Sequence, residues 1–259
     1  MSTISEQVRG DLWERVATGL RTDISDGILQ ADDTLPSENA LAEQYGVHRT
    51  TVRRALTELT HEGLITEGQG RRGRRVRGYK PIIWRLSLYE SRDYHEHAGN
   101  GGGDQFDVEI RSQERTPSET IEVVIVDPPE RVAELLKLKP GELIVARRRV
   151  RLVDGTPYQL ADSYFRHSLI DGTPLIEPRS VSYPGGLLAG IGHPQARFRD
   201  EITVRMPTRA EAGKLSLPAI TPVAEITRTG YAEDGTPLRV MVTIAPGDRH
   251  KFVYEVEAS

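Results

Sequence analysis

Apolar side chains recur every four residues at Leu12, Val16, Leu20, Ile24 and Ile28, the stripe of an amphipathic helix over 11–28. Gly27 and the polar run at 30–34 end it, and Leu35-Pro36 leads into a second helix. Ser37 is placed to cap that helix by accepting from a free backbone N–H. Leu41, Ala42 and Tyr45 form its apolar face, and Gly46 supplies a left-handed stop. A third helix follows at once, over about 48–62, with Val52, Ala55, Leu56 and Leu59 on one face and Gly63 at its end. Leu64-Ile65-Thr66 predicts a strand, Gly68, Gly70 and Gly73 permit a hairpin, and Val76 closes the return. A short glycine-containing break before the third helix, then a hairpin, is the order of a winged helix-turn-helix.

Residues 79–106 predict a linker, because the tip at 95–105 is too rich in glycine to hold a regular element cheaply; 82–89 could form a short strand inside it. Beyond 106 the apolar period changes to two, predicting strands at 122–127, 143–153, 157–165, 199–206, 224–231, 238–245 and 250–257. Asp154-Gly155 and Asp234-Gly235 mark hairpins. Asp127 is placed to cap a helix over 128–138, and Thr208 a short one to about 214. Successive hairpins with segregated short helices indicate an α+β architecture with an antiparallel sheet. The expected division is 1–78, a linker at 79–106, and a second domain at 107–259.

The chain's net charge of −4 conceals an asymmetry: residues 44–80 hold nine Lys and Arg against three acidic side chains. A positive patch on an otherwise acidic chain suits one surface for phosphates; a solvated basic face is the plainer alternative. Cysteine is absent, which excludes disulfides, thiolate catalysis and zinc-thiolate sites. His95 and His97 have no convincing third ligand nearby, so neither a metal site nor a cofactor is expected. The N-terminus lacks an apolar signal core and no run approaches a membrane span, which predicts a soluble, cytoplasmic protein.

Several spaced features in residues 27–76 agree in order: LPSE at 35–38, VHRTTVRRAL at 47–56, and EGLI at 62–65 followed by Gly68-Gln69-Gly70. This run resembles the winged-helix domain of GntR-type bacterial regulators. The remainder resembles the UTRA effector domain of the HutC-type branch, which has a chorismate-lyase-like fold. Its marks are RVRLVDGTPY, DSYF, RTGYAEDGTPL and GDRHKF.

The resemblance implies a repressor whose recognition helix enters the major groove with Arg49, Thr50 and Arg53, where arginine can pair bidentately with guanine. Thr51 is a phosphate donor or a solvent-facing residue. His48 replaces a small polar residue that caps better, and contacts a phosphate or is a surface substitution. Asn39 stands where many relatives have Arg, so helix two would add less phosphate contact. In the wing, Gly70 allows close backbone approach, flanked by Gln69, Arg71 and Arg72.

For the second domain, Arg149 and Arg151 match R-x-R positions that share one strand face, where two guanidinium forks could converge on an anion. Ser163, Ser182, Tyr183, Glu225 and Tyr231 match further effector positions, although Tyr183 is equally suited to a core. Ala161 stands where many relatives carry Glu, which points to a less sugar-like effector. The implied partners are a homodimer's second copy, a pseudo-palindromic double-stranded operator, and a small, anionic effector. Two alternatives remain open: a DNA-binding regulator without an effector, and an enzyme on the lyase-like domain. No nucleophile–base pair, phosphate loop or metal cluster supports the latter.

Overall fold

The computed structural model describes residues 2–31, 33–66, 73–78, 80–86, 104–183, 186–217 and 221–255. The chain divides into two compact units, Met1–Lys80 and Pro81–Ser259.

Among the described residues the first unit holds three helices, α1 (Ser2–Ser25), α2 (Glu38–Tyr45) and α3 (Arg49–His61). Val16, Ala17, Leu20, Leu41, Val52, Ala55, Leu56 and Leu59 share its core with Leu35, Ile65 and Val76. The four-residue stripe holds through Ile24, which packs half-buried on that core, whereas Ile28 lies beyond the helix and is 69% exposed. A spacing of four drifts by about 40° per step against 3.6 residues per turn, so the stripe leaves the buried face. Ser37 caps α2 by accepting from the Ala40 N–H at 3.2 Å, and Gly46 stops it at φ +62°. The base of the wing is tied by Thr66 N–H to Arg75 O and Arg77 N–H to Leu64 O. Among the described residues this pairing amounts to single bridges, Thr34–Arg75 and Ile65–Val76, rather than full strands.

The second unit is a six-stranded antiparallel sheet in the order β2-β3-β4-β7-β6-β5. Its strands are β2 (Pro117–Val126), β3 (Ile144–Val153), β4 (Thr156–Arg166), β5 (Arg197–Arg205), β6 (Val223–Tyr231) and β7 (Pro237–Pro246). Helices α5 (Glu130–Leu136) and α7 (Arg209–Leu215) bury one sheet face, the first through Val132 and Leu136 on Ala146, Tyr164 and Val240. The other face receives Trp84 and Leu86 on Ala224, Ile226 and Ala245. The strand foreseen within the linker is β1 (Ile82–Arg85), and it pairs in parallel with β8 (His250–Val253), so this stretch is built into the second unit. Helix α4 (Gln105–Ser112) is tied to β1 by Gln113, which exchanges hydrogen bonds with the Ile83 backbone at 2.9 Å in both directions. A one-turn helix, α6 (His167–Ile170), follows β4.

One capping expectation requires correction. Asp127 caps nothing: Pro129 holds the N-cap position of α5 without a side-chain bond. Pro128 and Pro129 hold the chain extended past Asp127 and delay the helix. His48, by contrast, does cap α3, with Nδ1 accepting from the Thr50 N–H at 3.3 Å. Thr208 forms a full capping box with Glu211. Among the described residues no helix is long and apolar enough to cross a membrane, and no group of three metal-ligating side chains occurs; His95 and His97 lie outside them.

A pH dependence follows from β8. His250 is 7% exposed, stacked on Phe252 at 5.8 Å, with Nδ1 3.0 Å from Pro246 O. Burial, aided by the Arg249 charge and opposed by the Pro246 bond, lowers its pKa to about 4. The unfolded imidazole protonates near 6.5, so the stability due to neutral His250 is present above that pH. It is lost as pH falls toward 4, by at most about 1.4 kcal/mol per unit. Urea denaturation between pH 7 and 4 should show this slope in the parent and a shallower one in His250→Gln; equal slopes would place the titration elsewhere.

Candidate nucleic-acid interface and effector cavity

Arg49 and Arg53 lie one turn apart on α3, at the border of its buried face, and each side chain is 55% exposed. Glu38, the first residue of α2, accepts from both: Arg49 Nε at 2.8 Å and Arg53 Nη2 at 3.1 Å. Those two bonds, Arg53 first, hold the Glu38 carboxyl below its usual pKa. Glu38 therefore holds both guanidinium groups together, a contact that sequence reading missed. Asn39, His48 and Thr50 are exposed nearby, and Thr51 is half-buried. Arg54 instead lies over the Trp13 ring at 4.7 Å and braces α3 on α1. Gln69, Gly70, Arg71 and Arg72 lie outside the described residues.

In the second unit, a cavity of about 1220 Å³ opens on the sheet face that carries Arg149, Arg151, Gln159, Ala161, Arg228, Arg239, Met241 and Thr243. Trp84, Phe106, Val181, Leu187, Leu188 and Phe198 supply apolar wall. Register explains the arrangement. Arg151 is opposite Gln159, and Ala161 opposite Thr243, so polar side chains of β3, β4 and β7 stand on one face.

Arg149 and Arg151 are each 6% exposed and converge on one carboxylate. Arg149 Nη1 donates to Asp104 Oδ2 at 3.0 Å, and Arg151 Nη2 donates to the same oxygen. Asp104 Oδ1 accepts from the Phe106 and Asp107 N–H groups, making Asp104 the N-cap of α4. Burial alone would raise its pKa; the charges of Arg151 and Arg149, with those two backbone bonds, hold it down. Arg228 is matched by Asp200 at 2.5 Å. Arg239 has no carboxylate partner within ion-pair distance among the described residues; it donates to Ser163 Oγ at 2.7 Å. Burial and the charges of Arg149 and Arg151 lower its pKa to about 9, so it stays cationic at neutral pH.

The expected effector residues separate into two groups. Arg149, Arg151, Ser182 and Tyr183 line the cavity. Tyr183 also packs on the core around Phe165; a Cβ at Gly190 would come within 2.1 Å of its ring, so glycine there admits it. Ser163 is fully buried behind Arg239 and orients it. Glu225 falls on the opposite sheet face, where it pairs with Arg205 at 2.6 Å, since odd positions of β6 face away from the cavity. Tyr231 lies under the Arg197 guanidinium at 4.1 Å, outside the wall. Asp104, Gln159, Arg239 and Thr243 were missed. Alternation in 238–245 was the available signal for the last two, since it puts Arg239, Met241 and Thr243 on one face.

Residues 112–251 match the UTRA domain family, and residues 12–76 match the bacterial regulatory proteins of the gntR family. The HTH-type transcriptional repressor NagR of Bacillus subtilis (strain 168) is 28% identical, over 98% of each chain. The HTH-type transcriptional regulator GgaR of Escherichia coli (strain K12) is 25% identical, over 94% of this chain and 90% of the relative. A GntR-family transcriptional regulator of known crystal structure superposes with a TM-score of 0.57 at 26% identity, covering 96% of this chain and 98% of that one.

Proposed function

This chain belongs to the UTRA-domain family of GntR-type transcriptional regulators, and from that premise we propose that it is a repressor released from its operator by a small anionic molecule bound in the second-unit cavity. Regulators of this kind bind DNA through the winged helix and are not enzymes. The observation that carries the sensing half is the cavity itself, where buried arginines stand among polar side chains of the sheet and an apolar wall. Such a site suits an acid group joined to an apolar body.

On the DNA side, Arg49, Thr50 and Arg53 read base edges, with Asn39, Thr51 and wing residues Gln69, Gly70, Arg71 and Arg72 on the backbone. His48 contributes as the cap that starts the helix. A homodimer on a pseudo-palindrome fits this geometry. Strand β5 is an edge strand exposing Ile202 and Val204, with Met206 just beyond it, apolar surface that a second copy would cover.

The test is a gel shift with DNA flanking the protein's own gene, repeated with a low-mass fraction of cell extract. Release by that fraction is expected, because an effector switches a regulator only if it binds its two states unequally. Binding to DNA that no extract fraction alters would leave a regulator without an effector.

A further inference from the structure

The Asp104 carboxylate is held as a bound anion would be. One oxygen takes two backbone N–H groups at the start of an eight-residue helix, and the other takes two buried guanidinium groups. A helix N-terminus flanked by arginines is a ready anion site. Here the chain's own side chain fills it. Around it, Arg149 Nε, Arg239 Nε, Gln159 Oε1 and Thr243 Oγ1 are buried without a hydrogen-bond partner, and all four residues line the cavity. Arg149, Gln159 and Thr243 are 6%, 2% and 1% exposed.

We propose that Asp104 is an internal competitor for the effector's acid group: it occupies the Arg149–Arg151 pair, which Glu119 also flanks at 3.7 Å from Arg151, and an incoming anion binds there by displacing it. This rests on reading the cavity as the effector site. The arrangement selects among ligands. A singly charged carboxylate brings nothing that Asp104 lacks, and it must also be confined. A phosphate group brings up to one further charge and a third acceptor oxygen, enough to take over both guanidinium groups. Displacement also removes the N-cap from α4, so binding alters the helix that follows the 87–103 stretch. The ligand's remaining polar groups meet Gln159 and Thr243.

The probe is inorganic phosphate, titrated calorimetrically into the full-length protein at fixed ionic strength. Asp104→Asn removes the charge and keeps a capping oxygen, since Asn and Asp cap equally well. Asp104→Ser caps through a shorter side chain and covers the case in which Asn folds poorly. When an internal group occupies the site, apparent affinity falls by the fraction of protein in the open form. Phosphate should therefore bind the variants about tenfold more tightly than the parent, or better. Adding Arg151→Gln to Asp104→Asn should remove the gain. Equal affinity in parent and variants would overturn the proposal, as would no binding in any of them, because a freed arginine pair has to accept an anion. The sensor reading fails separately: it falls if no low-mass fraction releases the parent protein from DNA, and it survives a negative phosphate result if one does.

Discussion

Arg49→Ala and Arg53→Ala should each weaken binding to the operator by about 1–3 kcal/mol, roughly 5- to 150-fold, while binding to random DNA of the same length falls far less. Both guanidinium groups lie on the exposed face of α3 near its N-terminus, the end that reads base edges. Base contacts carry specificity, and phosphate contacts add affinity to any sequence. The readout is the ratio of operator to random-DNA affinity at one salt concentration, with an operator recovered from randomised DNA. Neither change should alter thermal stability by more than about 0.5 kcal/mol, because no core contact is lost. Glu38→Gln separates orientation from charge. Its ion pairs are exposed and contribute little to stability. Removing the acid should raise affinity for random DNA by relieving repulsion of phosphates, and lower the ratio by freeing both arginines to wander. Unchanged ratios in Arg49→Ala and Arg53→Ala would remove α3 from the role of reading helix.

How far sequence carries differs between the two units. In the first, α3 announces its buried face through Val52, Ala55, Leu56 and Leu59, and those side chains are the ones buried. The period fixes which residues point outward, so Arg49 and Arg53 follow by subtraction. Their clamp by Glu38 does not follow, because the approach of α2 to α3 is tertiary. In the second unit, alternation places Arg147, Arg149 and Arg151 on one face but says nothing of what lies above it. That is decided by the return of β1 to pair with β8 and by α4, whose Asp104 stood in the expected linker among glycines. Glu225, expected from the resemblance, lies away from the cavity: strand parity assigns faces within one strand, and only the register with β7 shows which face of β6 adjoins the cavity.

Arg147→Ala should destabilise the second unit by about 3 kcal/mol or more, the largest stability effect expected of any single cavity-side residue. Arg147 is 1% exposed and serves backbone instead of ligand. Its Nη1 donates to Leu175 O at 2.5 Å and Glu177 O at 2.9 Å, and its Nη2 to Arg179 O at 2.9 Å. Burial lowers its pKa to about 10, so it remains charged at neutral pH and these are charge-assisted bonds. Removing the side chain strands the buried Leu175 carbonyl, at a cost on the order of 1–3 kcal/mol, gives up the two half-buried charge-assisted bonds to Glu177 O and Arg179 O, and leaves a void beneath them. Those carbonyls anchor the turn at 174–179, and the chain then runs on to Val181, Ser182, Tyr183, Leu187 and Leu188 in the cavity wall. The variant should thus lose effector response along with stability. Arg148→Ala is the control. One residue along, Arg148 faces the other side, its side chain is 39% exposed and it lies 3.6 Å from Glu122, so a change below about 0.5 kcal/mol is expected. Arg147→Lys keeps the charge but loses the planar fork that reaches three acceptors at once, and should fall between the two. Urea denaturation of the full chain, followed by near-ultraviolet circular dichroism, ranks them. If Arg147→Ala and Arg148→Ala unfold at the same urea concentration, the carbonyl cage does not hold the wall in place.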